Sequence, residues 1–236
     1  MKINIIFEDA DIIVCEKPAG VPTESKNLYT KDMVSILKNY LKENQPLKND
    51  IEPYLGLIHR LDQPVGGVMV FAKTPASAKD LSRQVQEKTI KKYYYAVITE
   101  DLSPLLGKPA SLLTDYLVQD KKTNTSFLTA QTDSKGKKSE LLYRVLDVVT
   151  YQDTILSLAE INLLTGRHHQ IRVQMAHHHS GLYGDKKYNP LFQTAKENTQ
   201  LGLFSFSLTL QHPKTKKILG YQIIPKLDLF ELFKLE

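Results

Sequence analysis

The run from Phe204 to Leu210 constrains this chain more than any other: Phe204, Phe206, Leu208 and Leu210 alternate with Ser205, Ser207 and Thr209. A period of two marks an extended strand with one buried face, and no helix gathers those four apolar side chains on one side. A strand needs partners, and the chain offers several. Residues 3–7 and 12–16 read as a hairpin around Glu8-Asp9-Ala10-Asp11, and 90–98 is a tyrosine-rich strand in which Tyr94 points opposite to Tyr93 and Tyr95. Further strands are expected at 112–118, 126–131, 140–149 and 154–164, joined by turns such as Asp133-Ser134-Lys135-Gly136-Lys137-Lys138. Helices are few. Met33, Ile36, Leu37, Tyr40 and Leu41 recur at helical spacing, which predicts an amphipathic helix over 31–43. Thr74-Pro75 pairs an N-cap with proline at the first helical position and opens a helix reaching residue 88, with Ala78, Leu81 and Val85 inward and Lys79, Arg83 and Lys88 outward. A polar connector is expected over 44–53 and a last helix over 228–235. Strands joined by short turns, with few helices, indicate an α+β fold: a largely antiparallel mixed β-sheet with flanking helices. With 236 residues, no internal repeat and no long polar linker, a single domain over 1–236 is expected.

Composition narrows the function classes without choosing one. Hydrophobic residues make up 42% of the chain and charged residues 24%, ordinary for a globular protein. One cysteine, Cys15, forbids an internal disulfide and fits a reducing cytoplasm. Glu8 and Asp9 interrupt the first apolar segment before signal-peptide length, and no later run approaches the roughly 18 apolar residues of a membrane span. A cytoplasmic protein without a membrane partner is therefore expected. Lys and Arg number 31 against 26 Asp and Glu, and the net charge of +5 permits a polyanionic partner without requiring one.

Two stretches carry the chemistry. In Leu57-Ile58-His59-Arg60-Leu61-Asp62-Gln63-Pro64-Val65-Gly66-Gly67-Val68, a short apolar run enters a charged triplet, and proline and glycines turn the chain into a second apolar run. Asp62 thus lies between two buried segments, where a fixed backbone suits a catalytic acid; the plain alternative is an aspartate that caps a turn. The second stretch, Leu163-Leu164-Thr165-Gly166-Arg167-His168-His169-Gln170-Ile171-Arg172-Val173-Gln174, runs from a strand through a turn into a helix. Helix-start amides favour anions, and Arg167 and Arg172 offer forks that match carboxylate or phosphate. Five of the seven histidines fall between His168 and His179. They do not make a metal site: the i, i+4 pair with a glutamate is missing, no cysteine is near, and His177 to His179 read as a helix end.

Together these segments resemble the RluA-type family of RNA pseudouridine synthases, in the family's order. Lys17-Pro18-Ala19-Gly20 matches its opening K-P-x-G turn, His59-Arg60-Leu61-Asp62 its catalytic motif, Lys92-Tyr93-Tyr94-Tyr95-Ala96 its K-x-Y-x-A strand, and Thr165-Gly166-Arg167-His168-His169-Gln170-Ile171-Arg172 its T-G-R-x-H-Q-I-R turn. Gly184-Asp185-Lys186-Lys187-Tyr188 and His212-Pro213 fall in the later positions. The chain departs where the family has T-S-G after the aspartate and here Val65-Gly66-Gly67 stands, and where a histidine is usual and here Gln174 stands. Because the first motif comes so early, no separate N-terminal RNA-binding domain is expected.

The resemblance implies a pseudouridine synthase-like fold with a central cleft, and an isomerase that needs no cofactor and no metal. It acts on a uridine of ribosomal or transfer RNA as a monomer. It makes Asp62 the nucleophile or base, Arg167 the cation that keeps it ionised, and Tyr94 the ring against the uracil. Arg60, His59, Lys73, Arg172 and Lys92 become the expected RNA contacts, with Arg60 entering the space left by the extruded nucleotide. Whether Asp62 attacks the sugar, adds to the uracil or removes a ribose proton stays open. So do two readings of the same residues, an inactive RNA-binding protein on this scaffold and a nucleoside hydrolase.

Overall fold

The computed structural model describes residues 3–27, 29–44, 52–195 and 199–235. In chain order its elements are β1 (Asn4–Glu8), β2 (Ile12–Lys17), α1 (Met33–Asn44), β3 (Gly56–Leu57), β4 (Gly66–Ala72), α2 (Pro75–Gln86), β5 (Lys91–Ile98), β6 (Ser111–Asp120), β7 (Thr125–Thr129), β8 (Lys137–Tyr151), β9 (Thr154–Leu163), α3 (Gln170–His178), β10 (Leu203–Gln211), β11 (Ile218–Gln222) and α4 (Asp228–Glu231). Most of the connector expected at 44–53 lies outside the described residues. Two compact units emerge, Met1–Lys91 with Ser205–Ile223, and Lys92–Phe204 with Ile224–Glu236.

In the first unit, β1 and β2 form the expected hairpin, β2 runs antiparallel to β4 from Ile12 opposite Ala72 to Lys17 opposite Gly67, and β10 follows β4 with β11 antiparallel on it. Alternation sorts the side chains. Ile12, Val14, Val68, Val70, Ala72, Leu208 and Leu210 share one core with Leu81 of α2 and Ile90. Ile13, Cys15, Met69 and Phe71, at the intervening positions, are equally sealed, so β2 and β4 are covered on both faces. That double covering is why 66–72 reads as a continuous apolar run rather than an alternating one. The two helices begin where side chains supply the missing acceptors. Thr74 accepts from the Ser77 amide ahead of Pro75, and Asp32 accepts from the Ser35 amide at 2.8 Å, so α1 starts at Met33 rather than at 31.

The second unit is an antiparallel sheet in the order β5-β9-β8-β6-β7. Tyr93, Tyr94 and Tyr95 stand opposite Asn162, Ile161 and Glu160, which puts Tyr94 on the same face as Lys92. The last helix is shorter than expected: α4 stops at Glu231, and the Phe233 amide turns back to the Phe230 carbonyl at 3.2 Å while both rings stay buried. No helix among the described residues is long and apolar enough to cross a membrane.

Candidate active site

Asp62 lies in the first unit, in the loop between β3 and β4, half-buried between buried Leu61 and exposed Gln63. That loop is held from both sides. The buried Thr23 hydroxyl donates to the Leu61 carbonyl at 2.8 Å and accepts from the Leu61 amide at 3.2 Å, as a neighbouring strand would. After Asp62, the Gly20 amide donates to the Gln63 carbonyl at 2.8 Å, and Gln63 Nε2 donates to the Gly20 carbonyl at 3.1 Å. Lys17 completes the clamp. Its ammonium, wholly buried, donates to the carbonyls of Pro18 at 3.0 Å, Val21 at 2.6 Å and Gln63 at 3.0 Å. Burial draws the lysine pKa down to about 8, against the opposing pull of the Asp62 carboxylate. The K-P-A-G turn is therefore the mould in which the aspartate loop is cast.

The departure at Val65-Gly66-Gly67 leaves this geometry intact. The Val65 amide closes the turn onto the Asp62 carbonyl at 3.0 Å, and Val65 is buried. Gly67, at φ +131°, passes so near β10 that a Cβ would lie 2.1 Å from the Ser205 carbonyl oxygen, so only glycine fits there. Two expected RNA contacts flank the loop. His59 Nε2 accepts the Val70 amide at 3.3 Å, and exposed Arg60 pairs with Glu24 at 2.7 Å.

In the second unit, the chain leaves β9 and turns at Thr165-Gly166-Arg167. Gln170, buried at the start of α3, organises that turn through four hydrogen bonds. Its Oε1 accepts from the Thr165 hydroxyl at 2.8 Å and the Arg167 amide at 3.0 Å, and its Nε2 donates to the Glu140 carbonyl at 3.1 Å and Gln174 Oε1 at 3.0 Å. Arg167 itself is exposed, with Nε donating to the Lys138 carbonyl at 3.2 Å. Lys92 approaches the same turn, its ammonium 3.5 Å from where a Cβ on Gly166 would sit, and burial lowers its pKa. Tyr94, on that face of β5, is only 5% exposed. The turn thus gathers Lys92 and Arg167 next to the strand that carries Tyr94.

His169 caps α3 from a left-handed backbone, φ +53°. The Tyr188 hydroxyl accepts the Ser126 amide at 2.8 Å and shares a hydrogen bond with His169 Nδ1 at 2.7 Å. Burial, with the Arg172, His168 and Lys187 charges, drives the His169 pKa down to about 2, so this imidazole stays neutral.

Two cations expected at the RNA are held inside instead. Arg172 grips Asp185 through Nε at 2.8 Å and Nη2 at 2.7 Å with its side chain 6% exposed, and Lys73 binds the Glu8 carboxylate and the Asp9 carbonyl, each at 2.6 Å, with 8% exposed. Each is engaged by a carboxylate away from solvent, whereas the sequence alone placed both at the RNA. Exposed Lys121, Lys122, Lys135, Lys137 and Lys138, on and beside β6 to β8, are the solvent-facing charges that reading missed. Their clustering was visible, but it looked like turn chemistry.

The histidines point to separate partners, His178 to Asp115 at 3.0 Å and His179 to Tyr143 at 3.1 Å. In the first unit Asp9, Asp11 and His212 bring ligand atoms within 4.8 Å of one another. There His212 Nδ1 accepts the Lys214 and Thr215 amides at 3.2 and 3.0 Å, so Nε2 carries the proton and donates to Asp9 at 2.7 Å. A ring engaged at both nitrogens offers no lone pair to a metal.

Residues 11–177 match the family model described as RNA pseudouridylate synthase. The chain belongs to that family. It is 28% identical over 238 residues to an uncharacterised RNA pseudouridine synthase of Helicobacter pylori, covering 99% of this chain and 70% of that protein. It is 31% identical over 233 residues to ribosomal large subunit pseudouridine synthase D of Nitrosomonas europaea, covering 93% and 61%. The chain thus spans 61 to 70% of the length of these two relatives. Relatives named as large-subunit synthases C and D agree with the RluA-type motif order. The solved structure of human RNA pseudouridylate synthase domain containing 4 superposes with a TM-score of 0.77 at 23% identity, covering 97% of this chain and 91% of that one. The α+β fold is therefore that of the pseudouridine synthases, a family of isomerases acting on RNA uridine.

Proposed function

We propose that this chain converts specific uridines of structured RNA to pseudouridine, with Asp62 as the carboxylate that acts on the nucleotide. The observation that carries this reading is the clamp on the Asp62 loop: Thr23 before it, Gly20 and Gln63 after it, and a buried ammonium beneath. Such a loop presents its carboxylate without reorganisation, which is what charge stabilisation during bond cleavage requires. The bond from ribose C1′ to uracil N1 breaks, the base turns in place, C1′ bonds to C5, the C5 hydrogen leaves as a proton, and the former N1 takes a proton up. Product and substrate are isomers, so the net change needs no oxidant or reductant. A glycosidase pairs two carboxylates and admits water, whereas one carboxylate favours rejoining over hydrolysis.

Tyr94 serves as the ring against the uracil, and Arg167 as the cation that balances charge at the reacting nucleotide. Lys92, Arg60 and the exposed lysines from Lys121 to Lys138 supply salt-sensitive phosphate contacts. The names of the relatives favour large-subunit ribosomal RNA as the substrate, with transfer RNA the next structured RNA to assay. The enzyme acts as a monomer in the cytoplasm.

The test incubates purified protein with unmodified ribosomal RNA and maps pseudouridine chemically. New pseudouridine is expected, and Asp62→Asn abolishes it while leaving RNA retention and the melting temperature unchanged. RNA retained without product would establish the inactive binding protein, and released uracil the hydrolase. An Asp62→Asn protein that isomerises at the normal rate would remove Asp62 from the chemistry.

A further inference from the structure

Gln174 stands where the family resemblance leads one to expect histidine, and it is completely buried. Its Oε1 accepts from Gln170 Nε2 at 3.0 Å, the amide whose other end holds the Arg167 backbone. Its Nε2 donates to Asp115 Oδ2 at 2.6 Å and reaches the Ser139 carbonyl at 3.5 Å. Ser139 follows Lys138, whose carbonyl receives Arg167 Nε. One amide therefore braces both anchors of the arginine, its backbone through Gln170 and its side chain through β8. On its far side Asp115 is fixed by His178 at 3.0 and 3.1 Å.

We infer that Gln174 is a positioning residue for Arg167, fixing the guanidinium through the relay Asp115–Gln174–Gln170. An amide suits this place because it accepts on one side and donates on the other without carrying charge. A buried side chain that only fills space would serve equally as leucine. A relay would not, since Gln170 Nε2 and the Asp115 carboxylate would each lose a partner. The inference rests on the pseudouridine synthase reading, because it assumes that Arg167 acts on the reacting nucleotide.

The relay also makes a distinctive prediction for Gln174→Glu. The charged and titratable groups around that site are Asp115 from β6, His178 from α3 and the Lys138–Glu140 pair at 2.7 Å from β8. A carboxyl there is buried and faces Asp115, so both desolvation and like charge favour its protonated form. Protonated, it donates to Asp115 and accepts from Gln170 as the amide does. Ionised, it has no donor and repels Asp115. Activity is thus present at low pH and lost as pH rises through the raised pKa of the new group.

The experiment measures single-turnover pseudouridine formation and RNA affinity between pH 6 and 9 on an RNA that wild-type protein modifies. Gln174→Leu is expected to lower the rate roughly tenfold to a hundredfold, the loss that follows a small misplacement of a catalytic group, with RNA affinity unchanged. Gln174→Glu is expected to approach the wild-type rate at pH 6 and to fall relative to wild type measured at the same pH as the pH rises, so that the ratio of the two rates drops across the range. If Gln174→Leu does not fold, the Gln174→Glu profile decides alone. Variants that isomerise at the wild-type rate throughout, or a Gln174→Glu loss independent of pH, would overturn the relay. Wild-type protein that makes no pseudouridine on any RNA would instead overturn the function it rests on.

Discussion

The loop that carries Asp62 and the turn that carries Arg167 are both held from beneath by buried polar side chains, but by opposite means. Under Asp62 lies an ion: the Lys17 ammonium among three carbonyls. The hydrogen bonds that hold Arg167 come from neutral groups, the Gln170 amide and the Lys138 carbonyl, with the Lys92 ammonium beside Gly166. In the second unit the ion pair sits two residues along α3, where Arg172 and Asp185 face away from Gln170 and Gln174 on the opposite side of the helix. The difference matters because an ammonium titrates and an amide does not. The acid loop should respond to pH through the group that clamps it, whereas the hydrogen bonds that hold Arg167 should not.

The largest effect that follows is on stability in the second unit. Arg172→Met leaves the Asp185 carboxylate buried without its guanidinium, although the Lys187 amide still reaches it at 3.0 Å, and should destabilise the protein by about 3–5 kcal/mol. Denaturant melts of the variant and of Asp185→Asn measure it. A variant as stable as wild type would show that α3 is held by apolar packing alone.

Lys17 sharpens the contrast. Its ammonium should lose a proton near pH 8, and the isomerisation rate should then fall by about tenfold for each further unit of pH. Stability from the same group runs the other way. Between about 8 and the ordinary lysine value of 10.5 the unfolded chain binds more protons than the folded one, so this contribution rises with pH. A rate that falls while the fold firms is the signature to look for. Lys17→Met should remove the alkaline limb along with most of the activity. A wild-type rate that is flat to pH 9.5 would show that the clamp works without its charge.

How much of this could be read from the residues follows from who the partners are. The strands announced themselves through side-chain alternation, as at Phe204 to Leu210, and the chemistry-bearing residues through short motifs around Asp62, Tyr94 and Arg167. The supports did not. Lys17 is satisfied entirely by backbone carbonyls, which have no identity in a sequence, and nothing in K-P-A-G says that its lysine points inward. Arg172 and Lys73 looked like phosphate ligands because their carboxylate partners, Asp185 and Glu8, lie 13 and 65 positions away. Charge patterning counts cations, but it does not tell which are buried. Gln174 read only as a departure from the family's histidine, and the fold makes it a link of the support itself.

Thr23 gives the smallest effect and the cleanest comparison with Gln174, because each is a neutral group bracing a functional loop. The Thr23 hydroxyl serves the amide and the carbonyl of Leu61 at once, one residue before Asp62. Thr23→Val keeps the shape but leaves both groups buried without that partner, which should cost about 1–2 kcal/mol, and Thr23→Ser should restore most of it. If the clamp orients Asp62, the loss appears in the single-turnover rate as well as in the melt, with RNA affinity unchanged. The alkaline limb due to Lys17 should persist at the same pH, because the ammonium and its three carbonyls are untouched. A Thr23→Val protein that melts early but isomerises at the full rate would mean that the Asp62 loop is fixed from the Lys17 side only, and that the neutral brace belongs to the fold rather than to the site.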